Sequence, residues 1–274
     1  MAEDVTDPVV GLLEEVWTST GEATEGLDEG SWSQPSELPG WTVKDCLAHV
    51  AGTESALLGE PGPDVDVSHL AHVSTPFQEL MEKPVEHWRP RSGSEVRDWF
   101  LDVTRRRLGH LRAMTPEEMD APSWSPIGEV PYREFMRVRV FDCWMHEQDI
   151  RRVVGRPGHL SGPALDPVLE RFRGALGFVV GKKADVVDGT RLLLRTTGPT
   201  EVALGVVVDG RATVVDEAEL GGPPDVEVTL PIGTLAALGG GRWDRARAEA
   251  EGGVAYGGDA QLGRRVLDHM AFTP

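Results

Sequence analysis

The segment FDCWMHEQDIRR, Phe141 to Arg152, carries three ionisable side chains within eight residues. Asp142, His146 and Asp149 stand at i, i+4 and i+7, the spacing that sets side chains on one face of an α-helix. Phe141, Trp144 and Met145 crowd the same segment, so a fully solvated face does not fit and the stretch needs a partner. Reading outward, the spacing predicts a helix from about Tyr132 to Val154, closed by the terminators of GRPGHLSGP.

Three more long helices precede it. Residues 5–29 carry Val9, Leu12, Leu13, Val16 and Trp17 at helical spacing before GSWSQPSELPGW interrupts. Thr42 then reads as an N-cap, with Asp45 as a short capping-box partner, for VKDCLAHVAGTESALLG. Val96, Trp99, Phe100, Val103, Leu108 and Leu111 make an apolar stripe along SEVRDWFLDVTRRRLGHLRAM. Pro61 to Pro90 reads as an irregular connection with a short helix near 76–83, and TPEEMDAPSWSPIGEVP as a loop. This half is expected to be an all-α four-helix bundle.

Gly155, Pro157, Gly158, Gly162 and Pro163 form a break too rich in terminators for the middle of a domain. It divides the chain into 1–156 and 157–274. A helix over 164–181, three β-rich runs (TRLLLRTTG, TEVALGVVVDG and RATVVDE), then DVEVTLPIGTLAAL and a last helix near 259–271 predict a smaller α+β domain.

The chain has 274 residues, 40% of them hydrophobic, enough to bury two cores. Its net charge of −18 repels phosphate backbones and anionic lipid surfaces, so neither nucleic acid nor membrane is an expected partner. MAEDVTDPVV lacks the basic and apolar runs of a secretory signal, and no stretch approaches the roughly 18 apolar residues of a membrane span. A cytoplasmic monomer is expected, with Cys46 and Cys143 kept as thiols. No G-x-G-x-x-G in strand–helix context, P-loop or nucleophile elbow occurs.

The chemistry therefore rests on the helix faces. A carboxylate and a histidine four apart converge and can share a metal ion. His49, in an early turn of another core helix, is the natural third ligand, giving His49, Asp142 and His146. Three protein ligands leave a coordination position for water or substrate, the arrangement of catalytic zinc, and Asp149 can orient a ligand imidazole. Cys46, three residues before His49, offers the alternative of a closed, structural four-ligand site. His69, His72, His87, His110, His159 and His269 lack such a carboxylate pairing and read as surface or loop residues; Arg105 to Arg107 read as a solvated face.

LPGWTVKDCLAHVAGTE, RVRVFDCWMHEQDIRR and the tail GDAQLGRRVLDHMAFTP together resemble the mycothiol-dependent maleylpyruvate isomerase family. The resemblance implies a DinB-like metal-binding bundle followed by a sterol-carrier-protein-2-like domain. Its metal ligands fall on His49, Asp142 and His146, with the shorter Asp142 where the family's characterised isomerase has glutamate. It also implies that an arginine of the second domain helps build the active site, Arg242 or Arg264. Zinc or another divalent ion would activate mycothiol as a nucleophile toward a small electrophile, with S-transfer set ahead of maleylpyruvate cis–trans isomerisation. A metal-stabilised, non-catalytic ligand-binding or regulatory protein is the alternative of another class.

Overall fold

The computed structural model of the chain describes residues 6–273. Residues 1–5 and 274 lie outside the described residues, and with them the acidic opening MAEDV, the first residue of the helix expected from residue 5 and the last residue of the tail. The chain divides into two compact units, one ending at His159 and one beginning at Leu160.

The first unit holds α1 (Pro8–Ala23), α2 (Glu29–Trp32), α3 (Val43–Leu57), α4 (Pro76–Trp88), α5 (Gly93–Ala113), α6 (Pro116–Asp120), the strands β1 (Pro122–Ser125) and β2 (Gly128–Pro131), and α7 (Tyr132–Val153). Its long helices pack as a closed circuit, α1 on α7, α7 on α3, α3 on α5 and α5 on α1, with α4 laid against α3. Caps set the helix starts. Asp7 accepts from Val9 N ahead of Pro8, and Thr42 with Asp45 and Ser92 with Glu95 form capping boxes for α3 and α5. From Phe135 to Ile150 only Arg137 and Asp142 of α7 keep appreciable exposure, so this helix is the axis of the unit. Val140, Trp144 and Ile150 are among its fully buried apolar side chains. α4 approaches α3 closely at Gly52, where an added Cβ would lie 2.4 Å from Pro84 Cβ.

Several connections carry more structure than the sequence reading gave them. The expected first helix ends at Ala23, and Asp28 caps a separate short α2. α4 runs past the expected residue 83 and through Pro84 to Trp88, because Glu82 and Val85 are buried in its last turns. TPEEMDAPSWSPIGEVP is not a loop: Thr115 and Glu118 form a capping box for α6, and β1 and β2 pair as an antiparallel hairpin with Ser125 opposite Gly128.

The second unit comprises α8 (Leu165–Phe178), continued by a wider π turn at Val179–Lys183, then β3 (Arg191–Thr197), β4 (Ala203–Asp209), β5 (Arg211–Asp216), β6 (Val226–Pro231), α9 (Ile232–Gly239), α10 (Arg245–Glu251), β7 (Ala255–Gly258) and α11 (Ala260–Asp268). The strand order is β5-β4-β3-β6-β7, antiparallel except for the central β3–β6 pair. α8 packs on β4 and β5, and α11 on β6 and β7. β7 and α10 are additions to the expected elements, since AYGG and RARAEAE are too short and weakly patterned to announce a strand or a helix. Between α8 and the sheet, Phe172, Leu176, Leu194, Leu204, Met270 and Phe272 line an apolar cavity of about 10 Å3, room for little more than a water molecule. Among the described residues no helix is long and apolar enough to cross a membrane.

Candidate metal centre

α3 and α7 pack together, and their facing side chains converge where the sequence reading expects a site. His49 comes from the second turn of α3, and Asp142 and His146 from successive turns of α7. Asp142 lies between the two rings, with Oδ2 3.5 Å from His49 Nε2 and Oδ1 3.6 Å from His146 Nε2. One ligand-type atom from each of the three residues falls within 4.8 Å of the others. Bonds of about 2.0–2.2 Å in tetrahedral geometry set ligand atoms roughly 3.3–3.6 Å apart, so the donor set has the spacing and chemistry of a zinc-type site. Nε2 of both rings faces the Asp142 carboxylate, leaving the buried Nδ1 atoms on the far side without a hydrogen bond, that of His146 in 3.3 Å contact with Asp149 Oδ2. The residues thus fit a divalent ion.

Access is uneven. The side chains of His49 and His146 are 7% and 8% exposed, whereas a third of Asp142 faces solvent, which leaves an approach on the carboxylate side. Burial pushes the His49 pKa down, reinforced by His146 and Arg139 and opposed by its hydrogen bond with Asp142. Burial would raise the Asp142 carboxyl, but Arg139, His49 and His146 prevail and hold it well below the ordinary carboxylate range.

Apart from Asp149, the supporting shell is the part that sequence reading missed. Arg139 pairs with Asp142 Oδ2 and donates from Nε to Glu54 Oε1 at 2.9 Å. Glu54 is fully buried and also binds the equally buried Arg107 at 3.2 Å, which pairs in turn with the Tyr132 hydroxyl. Arg107 is therefore not part of a solvated face; only its neighbours Arg105 and Arg106 form ion pairs at the surface, with Asp102 and Glu60. On the other side, Asp149 Oδ2 lies 3.3 Å from His146 Nδ1, and Asp149 Oδ1 accepts from Arg152 at 2.6 Å. Arg152 also binds Glu37 at 2.6 Å. Trp41 covers the imidazoles, its ring 5.1 Å from that of His49 and 5.7 Å from that of His146. Arg139 and Arg152 each stand three residues from an acidic member of the predicted face, a helical pairing signal that was available; the cross-helix partners Glu54, Glu37 and Trp41 had none.

Cys46 joins His146 and Asp149 in a second close group and does not complete a four-residue group with His49 and Asp142. Cys143, buried against Trp17 and Arg139, has its thiol pushed up to about 12 by burial and stays protonated. Two histidines depart from the surface reading. His159, 10% exposed, lies 2.6 Å from Glu147 Oε2 and 3.2 Å from Glu15 Oε1, and His72 Nε2 lies 3.1 Å from Glu82 Oε2. Within the second unit, Arg242 donates to the Gly240 carbonyl at 2.6 Å. Arg264 pairs with Glu249 at 3.0 Å over the ring of Tyr256.

Comparison with known proteins agrees with this architecture. A crystal structure of the mycothiol-dependent maleylpyruvate isomerase matches with a TM-score of 0.58 and 17% identity, over 90% of this chain and 91% of that one. A histidine-to-alanine mutant of that enzyme matches with a TM-score of 0.56 and 16% identity, over 86% and 88%. No curated protein matches by sequence. A profile described as the mycothiol maleylpyruvate isomerase N-terminal domain matches residues 13–151, slightly more than half of the chain. The chain belongs to the mycothiol maleylpyruvate isomerase N-terminal domain family.

Proposed function

We propose that this chain is a metal-dependent enzyme that uses mycothiol as a thiolate nucleophile toward a small electrophile, working from a DinB-like four-helix bundle. The observation that carries the reading is the convergence of His49 Nε2, Asp142 and His146 Nε2 at metal-ligand spacing beside a partly exposed carboxylate edge. A bound divalent ion, zinc by the donor set, would supply the Lewis acidity that lowers a thiol pKa into the neutral range. His49, Asp142 and His146 would hold it. Asp149, whose Oδ2 lies 3.3 Å from His146 Nδ1, would orient that ring by accepting its N–H once Nε2 holds the ion; Arg139 fixes the Asp142 carboxylate, and Trp41 keeps water from the faces of the rings.

In both versions of the reaction the thiolate sulfur bonds to one carbon of an activated carbon–carbon double bond as the π pair moves onto the conjugated carbonyl, leaving a single bond and an enolate; protonation of the enolate keeps the adduct, and return of the pair expels the thiolate. If the adduct persists the outcome is S-transfer, the version the sequence reading sets first. If the carbon–carbon bond rotates and the thiolate departs, the outcome is cis–trans isomerisation, the version favoured by the name of the family and of the enzyme in both similar structures. Arg242 and Arg264 remain the proposed candidates for anchoring a substrate carboxylate bidentately. The non-catalytic alternative gains little support, because the four-residue closure through Cys46 is not formed and the second unit's 10 Å3 cavity is far too small for a carried lipid.

Incubating the metal-loaded protein with mycothiol and maleylpyruvate tests the reading. Thiol consumed in step with substrate marks S-transfer, and substrate converted with thiol unchanged marks isomerisation. In either case Asp142→Ala is expected to abolish turnover; retained turnover by that variant would remove Asp142 from the site.

A further inference from the structure

Beside the candidate metal centre, Cys46, His146 and Asp149 each place a ligand-type atom within 4.8 Å of the others. We propose that these three residues form a second, closed site for a soft, thiophilic divalent ion such as cadmium, and that this site competes with the first for His146. The competition rests on the metal centre proposed above; the second site itself does not.

Helix register creates the pair of sites. Cys46 stands one turn before His49 on α3, and Asp149 one turn after His146 on α7, so His146 has one donor pair on each side. Cys46 and Asp149 are fully buried, and the His146 side chain is 8% exposed. Within this group the buried His146 Nδ1 makes no hydrogen bond, although Asp149 Oδ2 lies 3.3 Å away. Two ligands of one tetrahedral ion have that spacing, because bonds of about 2.0–2.2 Å set nitrogen and oxygen roughly 3.3–3.6 Å apart. Arg152 binds the other carboxylate oxygen, Oδ1, at 2.6 Å and is itself paired with Glu37.

Charge and softness select the ion. A Cys46 thiolate and the Asp149 carboxylate together balance two positive charges in a core that cannot hold an uncompensated dication. The thiolate favours a soft metal. On binding, Sγ, Nδ1 and Oδ2 each form a bond to the ion, and the thiol proton leaves to solvent.

His146 makes the two sites alternatives. A neutral imidazole carries one N–H and one ring lone pair. The first site needs the lone pair on Nε2, with Nδ1–H toward Asp149; the second needs it on Nδ1, with Nε2–H toward Asp142. A neutral His146 therefore serves one ion at a time. Zinc and cobalt accept the nitrogen–oxygen set and keep a position there for water or thiol, whereas the softer cadmium gains most from the thiolate.

The test is titration of the metal-free full chain with cadmium, followed by the ultraviolet sulfur-to-cadmium charge-transfer band and, in the wild type, by cadmium NMR. We expect the band to saturate at one equivalent, with a resonance in the range of a single thiolate ligand. It should survive in His49→Ala and Cys143→Ser and vanish in Cys46→Ser. Zinc bound beforehand should be released as the band grows, one ion per cadmium taken up, as read by a chromogenic chelator. A wild type without the band and without a sulfur-shifted resonance overturns the site, as does a full band in Cys46→Ser; zinc binding in the same preparation would leave the proposed function standing. A band that grows while zinc stays bound overturns the sharing of His146. A chain that takes up cadmium at Cys46 but no zinc overturns the function proposed above and supports this site.

Discussion

His49 and His146 meet edge to face, their ring centroids 4.6 Å apart, although they come from different helices and lie 97 positions apart in the chain. Burial holds the His49 imidazole below its ordinary pKa, and Asp142 supplies the negative charge that both rings face. The three side chains thereby offer two imidazole nitrogens and a carboxylate oxygen at the spacing a divalent ion requires.

Arg139 should therefore matter to metal binding without touching the ion. It grips Asp142 Oδ2 while anchored on Glu54, so the carboxylate cannot swing away from the rings. Arg139→Met is expected to weaken metal affinity by about 10- to 100-fold, the usual scale for an outer-shell partner. Competition with a chromogenic chelator measures this, and an affinity equal to that of the wild type would show that Asp142 is held by other means.

Glu54 sits fully buried between two guanidinium groups, Arg107 and Arg139. Removing it strands both positive charges in the core. Glu54→Ala should cost about 3–5 kcal/mol of unfolding free energy in urea titrations, and the double variant with Arg107→Met should be less destabilised than the sum of the single changes. Additive losses would mean that the pair does not act as a unit.

His159 gives a pH dependence of defined sign. Burial opposes its charge, but hydrogen bonds and charge interactions with Glu147 and Glu15 outweigh that and raise its pKa above 6.5. A group raised on folding stabilises fully below its unfolded pKa and loses that contribution as pH rises through the folded value. The stability gap between wild type and His159→Gln should be largest near pH 6 and shrink toward about pH 9. Urea midpoints at both pH values check this; a gap that widens with pH would contradict it.

Gly52 permits the close crossing of α4 over α3. A Cβ would meet Pro84 at 2.4 Å, so Gly52→Ala should destabilise the first unit by about 1–3 kcal/mol despite alanine's better helix propensity. Thermal unfolding of the variant measures the cost.

What could be read from the sequence followed periodicity. The long helices, the strands of the second unit, and the i, i+4, i+7 face of Asp142, His146 and Asp149 all repeat at fixed spacing, and Thr42 with Asp45 announced the start of α3. What could not be read depends on partners distant in sequence. Arg107 resembles its neighbours Arg105 and Arg106 until Glu54 is brought against it from another helix, and His159 looks like a loop residue until α7 delivers Glu147. Short elements such as β7 and α10 have too few residues to establish a period.

The central claim is an open metal position that accepts a thiol. It is tested most directly by measuring the metal content of the purified chain together with the absorption spectrum of its cobalt-substituted form, with and without mycothiol, in the wild type and in Asp142→Ala. The account predicts one equivalent of metal in the wild type and a thiolate-to-cobalt charge-transfer band that appears only when mycothiol is added, with both lost in Asp142→Ala. A wild-type chain that takes up no metal, or a thiolate band already present and unchanged by mycothiol, would contradict it.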